Sequence, residues 1–257
     1  MRTLYQFPLS NYCEKARWLL DHKELDYVAR NLIPGVHRLL TRWYTSGDTL
    51  PMLHDGKVWV DDSTEIALYL DGAYSEKPLI SRDPELRTQI IGLDELGNEL
   101  GDHVRRWMLA YSLDNPHTMD IVVGEQGLMH TFGLLSKPIL KKGMKILYQI
   151  KPEPVAASRR RIDDLINEIE TILLEDAEDG ETTYLVGNEF SLADIAVCAA
   201  AAPIFGIEGT PWVVPQGEVV PEPVALYRDE LLARPFGQYV MRVFAQDRKA
   251  KVDWRGQ

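Results

Sequence analysis

Only two cysteines, Cys13 and Cys198, occur in the 257 residues. That is too few for a disulfide framework, and the pair cannot build a zinc site alone. Positive charge is also scarce: 28 Lys and Arg stand against 39 Asp and Glu, a formal net charge of −11. Phosphate-rich partners need a concentrated basic face, so this balance argues against nucleic acid and against an anionic membrane. The densest basic run, Arg159-Arg160-Arg161, precedes an acidic stretch and reads as a solvated helix start. No run approaches 18 uninterrupted apolar residues, and the opening MRTLYQF lacks a basic-then-apolar signal pattern. A soluble, reduced, cytoplasmic protein is therefore expected. No internal repeat or low-complexity tract is visible. The remaining composition, 45% hydrophobic and 26% charged, suffices for a sizeable core without metal or disulfides.

The texture of the chain changes near Ser75–Pro84. Before it, short strand-like runs alternate with helical ones. Thr3–Phe7 predicts a strand, followed by the turn-rich Pro8-Leu9-Ser10-Asn11 and a helix with Ala16, Leu19 and Leu20 on one face. Asp26–Leu32 predicts a second strand and Val36–Tyr44 a second helix. Leu50–His54 and Lys57–Val60 read as a hairpin closed at Asp55-Gly56, and Ser63–Tyr74 as a third helix. The order β-α-β-α-β-β-α predicts a small α/β domain over residues 1–76. A Pro-containing linker, 77–84, leads to an all-helical domain over 85–257. Its long helix Glu85–Leu113 carries Leu86, Ile90, Leu93, Leu96, Leu100 and Val104 on one stripe. Pieces of helix are expected in 124–150. Lys151-Pro152-Glu153-Pro154 reads as a break before a helix with Ile162, Leu165, Ile169 and Leu173 in phase. Residues 206–223 read as an irregular loop before two short closing helices.

Three turns of the first domain favour anions. Ser10, between a strand and a helix, sits where free backbone N–H groups and the positive end of the helix dipole meet. The same residue serves equally as a helix N-cap, and Cys13 reads as a small buried apolar residue. Pro51, heading a strand after Leu50, is either an ordinary trans proline or a cis one that turns the Leu50 backbone outward to a peptide-like ligand. Asp61-Asp62-Ser63-Thr64 caps the third helix, and the same groups suit a zwitterion, donors taking its carboxylate and the acid its ammonium.

The stretches LYQFPLSNYCEKARWLL and TLPMLHDGKVWVDDSTEIALYL together resemble the thioredoxin-like amino-terminal domain of the cytosolic glutathione transferases. Gly187-Asn188-Glu189-Phe190-Ser191-Leu192-Ala193-Asp194 resembles the capping box that opens a core helix in the second domain of that family. Its likeness is structural and implies no ligand. The resemblance spans the first eighty residues and 184–206, leaving 114–155 and 206–223 unmatched.

The resemblance implies a glutathione transferase of the serine type, similar to theta- and zeta-like members. Ser10 stands at the turn position, and Gln6 falls where tyrosine classes carry their hydroxyl. Ser10 would hold the glutathione thiolate, with Tyr5, Tyr12 and Cys13 as rivals. Leu50, before a cis Pro51, would pair with the cysteinyl backbone. Asp62 and Ser63 would take the γ-glutamyl end, and His37 or Arg38, with Arg42 behind, the glycyl carboxylate. A small hydrophobic electrophile would lie against the long helix, near Arg105, Arg106, Trp107, Met108 and Tyr111, with the 210–223 loop as a lid; Trp107, Met108 and Tyr111 read equally well as core residues. No cofactor is implied beyond glutathione as co-substrate, and no metal; a homodimer is. Isomerisation, dehalogenation, thiol reduction and non-catalytic binding are the alternatives open on the same scaffold.

Overall fold

The computed structural model describes residues 1–256 except 33, 36, 46, 125–127 and 178–183, and leaves aside the side chains of 128–136 and 175–177. The first domain runs β1 (Arg2–Gln6), α1 (Asn11–His22), β2 (Tyr27–Asn31), α2 (His37–Tyr44), β3 (Met52–Asp55), β4 (Val58–Asp61) and α3 (Ser63–Ala73). Its sheet has the order β2-β1-β3-β4, with β1 and β2 parallel and the other pairs antiparallel. This is the expected thioredoxin-like arrangement. In the β3–β4 hairpin Asp55 pairs with Val58, so the turn is Gly56-Lys57, with Gly56 at φ 64°.

The second part is helical: α4 (Pro84–Ser112), α5 (Pro116–Val123), α6 (Leu128–Leu147), α7 (Pro152–Ala177), α8 (Leu192–Phe205), α9 (Glu222–Leu232) and α10 (Pro235–Asp247). Two sequence expectations need correction. Pro152 and Pro154 do not break the chain ahead of α7; they lie in its first turn, where a missing N–H costs nothing and the fixed φ suits the helix. Arg159-Arg160-Arg161 is therefore inside α7 and not at its start, although Arg160 is exposed as expected. Arg159 stacks on the Tyr227 ring and pairs with Asp163, while Arg161 pairs with Glu99 at 2.7 Å.

α8 is buried along its whole length, so it lacks an amphipathic period. It packs against α4 where a Cβ on Gly97 would lie 2.9 Å from the Ala196 carbonyl carbon. Its first turn is held by Asp194, which accepts from Leu185 N, Ser191 N, the Ser191 hydroxyl and the Tyr239 hydroxyl at 2.6–2.9 Å. One core joins both domains, from Leu4, Leu19 and Leu70 to Leu100, Ile166 and Val240.

Two networks of buried ions lock the seam. Arg248, just past α10, reaches Glu14 and Asp21 of α1 at 2.7 Å each, and Arg17 pairs with Glu14 at 2.6 Å. Lys15 pairs with Asp94 of α4 at 2.5 Å and donates to Thr64 and Asn98. The segment between the domains is fixed as well: Lys23 donates to the carbonyls of Tyr74, Glu76 and Lys77, and Asp71 accepts from Leu79 N and Ile80 N. No described helix is long and apolar enough to cross a membrane.

Candidate active site

The Phe7–Ser10 turn is closed by Ser10 N donating to Phe7 O at 3.1 Å. Ser10 is the N-cap of α1, and its Oγ accepts from Cys13 N at 3.4 Å. That bond uses a lone pair and leaves the hydroxyl proton for another acceptor. Ser10 is half-buried and lines a large cavity.

The polar neighbours of Ser10 are turned elsewhere. Cys13 is 0% exposed, its sulfur accepts from Phe7 N, and burial pushes its thiol up. Gln6 is buried beneath the turn. It donates to Asn31 and to Trp254 O and accepts from Arg17, which also reaches Pro8 O. Tyr5 stacks on Trp59 with ring centroids 5.8 Å apart. The Tyr12 hydroxyl donates to Asn98 O at 2.9 Å and Asp102 at 2.6 Å; burial, then the Asp102 charge, pushes it well above the usual phenol range.

The Leu50–Pro51 bond is cis. Leu50 and Pro51 share a polar recess of about 300 Å³ with Tyr12, Asp62, Ser63 and Asn98. Asp62 caps α3, accepting from Thr64 N at 2.7 Å and Glu65 N at 3.3 Å. Its φ of 65° is uncommon for a non-glycine residue and marks a backbone held by its surroundings. Those surroundings include the Lys15–Asp94–Thr64–Asn98 network directly behind it.

His37 is buried, accepts from Gly35 N at 3.1 Å through Nδ1, and meets Phe7 edge-on at 4.8 Å. Arg38 is exposed and lies 3.8 Å from Asp48, which Arg42 also approaches at 3.4 Å. His37 and Arg38 both line the large cavity, and Arg42 does not.

That cavity, about 980 Å³, opens between Ser10 and the helical domain. Of the residues expected against the long helix, Arg105, Arg106, Met108 and Tyr111 line it. Trp107 does not. It is 3% exposed and packs edge-on against Tyr111 and Tyr227 in the core, because one turn of α4 cannot point all its side chains to one wall. Most of the remaining wall comes from α5, α6, the end of α8, residues 211–221 and Val224 and Arg228 of α9. These are largely the segments for which no motif was found.

Sequence reasoning missed Asp102 and, as a bridging residue, Arg105. Along with Thr49 and Leu50 these two line both the recess and the cavity. A signal was present: Asp94, Asn98 and Asp102 recur every fourth residue, a polar stripe beside the apolar one.

Residues 4–78 match the family model described as "Glutathione S-transferase, N-terminal domain". Among solved structures, the glutathione S-transferase CsGST63524 of Ceriporiopsis subvermispora, in complex with glutathione, is similar at 18% identity. The match covers 98% of each chain with a TM-score of 0.66. Beta-etherase LigF from Sphingobium sp. strain SYK-6 is similar at 20% identity over 94% of this chain and 98% of that one, TM-score 0.60. FzlA from C. crescentus is similar at 20% identity, covering 94% and 92%, TM-score 0.54.

Proposed function

We propose that this chain, whose first domain is a glutathione S-transferase N-terminal domain and whose fold is that superfamily's, is a serine-type glutathione transferase. One observation carries the reading. Ser10 presents a hydroxyl at the cavity wall beside the start of α1, whereas Gln6, Tyr12 and Cys13 are engaged or shut away and Tyr5 lines neither the cavity nor the recess.

Glutathione would lie along the first domain. Its γ-glutamyl end enters the recess at Asp62 and Ser63, with Asp102 on the same recess wall. The cysteinyl portion pairs with the Leu50 backbone. Arg38, exposed and only loosely held by Asp48, takes the glycyl carboxylate. The sulfur then rests at Ser10. A free thiol has a pKa of about 8.5, and lowering it by about two units requires ~2.7 kcal/mol. A hydrogen bond from the Ser10 hydroxyl to the thiolate, with the dipole of α1, is of that size. The thiolate attacks an electrophilic carbon or sulfur of a second substrate held in the cavity. Ser10 poises the nucleophile and is not consumed. Thiol reduction through Cys13 is disfavoured by its burial.

Ser10→Ala tests this. The pH profile of conjugation should shift upward by about two units, with turnover at neutral pH falling correspondingly and glutathione affinity changing little. Full activity with an unshifted profile would refute the assignment.

A further inference from the structure

Four arginines, Arg38, Arg105, Arg106 and Arg228, line the cavity, with Asp48, Asp102 and Glu218 as the carboxylates among the described lining residues. Arg38 faces Asp48, and Arg228 pairs with its neighbour Asp229 at 3.0 Å. Arg105 and Arg106, side by side on α4, have one carboxylate between them: Arg105 pairs with Asp102 at 2.6 Å. Asp102 already accepts from Tyr12. Arg106 directs Nε to Tyr148 O at 3.0 Å and a terminal nitrogen to Ser158 Oγ at 2.8 Å, both uncharged acceptors. A guanidinium stays ionised at any ordinary pH. Among the described residues, this stretch of wall therefore carries one positive charge that no adjacent acid cancels, in a chain of net charge −11.

Hydrogen bonding points the same way. Arg105 is 29% exposed at its side chain, yet its Nε is buried and has no acceptor among the described residues. A buried donor left unmet is costly, so the Arg105 head keeps hydrogen-bonding capacity that the described residues leave unused. Tyr148 gathers the pair, with its ring 4.8 Å from the Arg105 guanidinium and its carbonyl on Arg106. Around them the wall is apolar and aromatic: Met108, Leu109, Tyr111, Met144 and Leu147. Charge in such surroundings acts more strongly than in water.

We propose that Arg105 and Arg106 form an anion receptor in the second-substrate cavity, and that the electrophiles conjugated here are aromatic carboxylates. The receptor stands on the cavity geometry; only the conjugation rests on the transferase reading. With 4-chloro-3,5-dinitrobenzoate, the thiolate sulfur bonds to the ring carbon bearing chlorine. The carbon–chlorine bond breaks, and chloride leaves with the electron pair.

Titration calorimetry of the full chain, without glutathione, with 3,5-dinitrobenzoate and its methyl ester is the direct test. The acid should bind about tenfold tighter than the ester, and the Arg105→Met, Arg106→Met double variant should bind the two alike. Equal binding by the wild type, or a preference that survives in the variant, overturns the receptor. Arg106 also ties Tyr148 to Ser158, so loss of both ligands in the double variant hands the decision to Arg105→Met. Among the described residues that side chain pairs with Asp102 and stacks on the rings of Tyr12 and Tyr148, and an undiminished preference there overturns the proposal. With glutathione, 4-chloro-3,5-dinitrobenzoate should exceed its methyl ester in kcat/KM. If neither is conjugated while the binding preference holds, the transferase reading falls and the receptor stands. Equal conjugation with equal binding removes the receptor alone.

Discussion

A serine hydroxyl stabilises a thiolate only when its proton is free to donate, and the Ser10 cap, which accepts through one lone pair, leaves that proton free. Three residues away, Cys13 carries the more reactive group but is buried with its thiol pushed up. Cys198 is likewise 0% exposed, and its thiol is raised further by burial and by Asp194. Thiolate, not thiol, reacts with disulfide reagents. An aromatic disulfide at pH 8 should therefore label neither cysteine of the native protein within minutes and both after denaturation. Rapid native labelling of Cys13 would bring disulfide exchange back as the activity. The exposure of these groups was only partly legible. A cap is decided by residues within four positions of Ser10, whereas Gln6 and Cys13 are occupied by partners that include Trp254 O and the buried Arg17.

At the scale of elements, α4 is the shared part. Its apolar stripe enters the common core, and its polar stripe braces Thr64, Lys15 and Tyr12 behind the recess. Gly97 lets α8 approach, since an added Cβ would meet the Ala196 and Val197 backbone at 2.9–3.0 Å. Backbone cannot move aside as a flexible side chain can. Gly97→Ala should destabilise the protein by about 1–3 kcal/mol, the range for overpacking, despite alanine's better helix propensity. A thermal melt checks it, and an unchanged or raised Tm would contradict the close approach. The heptad-like stripe and the hairpin were readable because side-chain period follows local geometry. The prolines opening α7 misled because proline ends helices from inside and begins them from the first turn.

For the whole molecule, the ions at the domain seam matter most. Burial pushes the Glu14 carboxyl up, but Arg248 and Arg17 overcome it and hold it at about 2, against an ordinary 4.5. A depressed folded-state pKa contributes stability that is present above about pH 4.5 and is lost as pH falls toward 2. Burial moves Asp21, the other acceptor of Arg248, in the opposite direction and blunts that loss. Arg248→Met should lower stability at pH 7 by about 3–5 kcal/mol, as when one partner of a buried pair is removed. It should also flatten the decline between pH 5 and 2. Denaturant unfolding across that range measures both, and a variant as stable as wild type at pH 7 would exclude this role for the seam.

The order of elements, the caps at Ser10, Asp62 and Ser191, the hairpin and the helical character of the second half were set locally, by periodicity and by groups a few residues apart. The cavity, the placing of Arg105 and Arg106 on its wall, the burial of Trp107 and the closing of the seam by Arg248 were decided by the tertiary structure. Each depends on which side chains meet across a hundred residues or more of chain, or on which way one helix is turned by its packing. Local pattern carries no record of either.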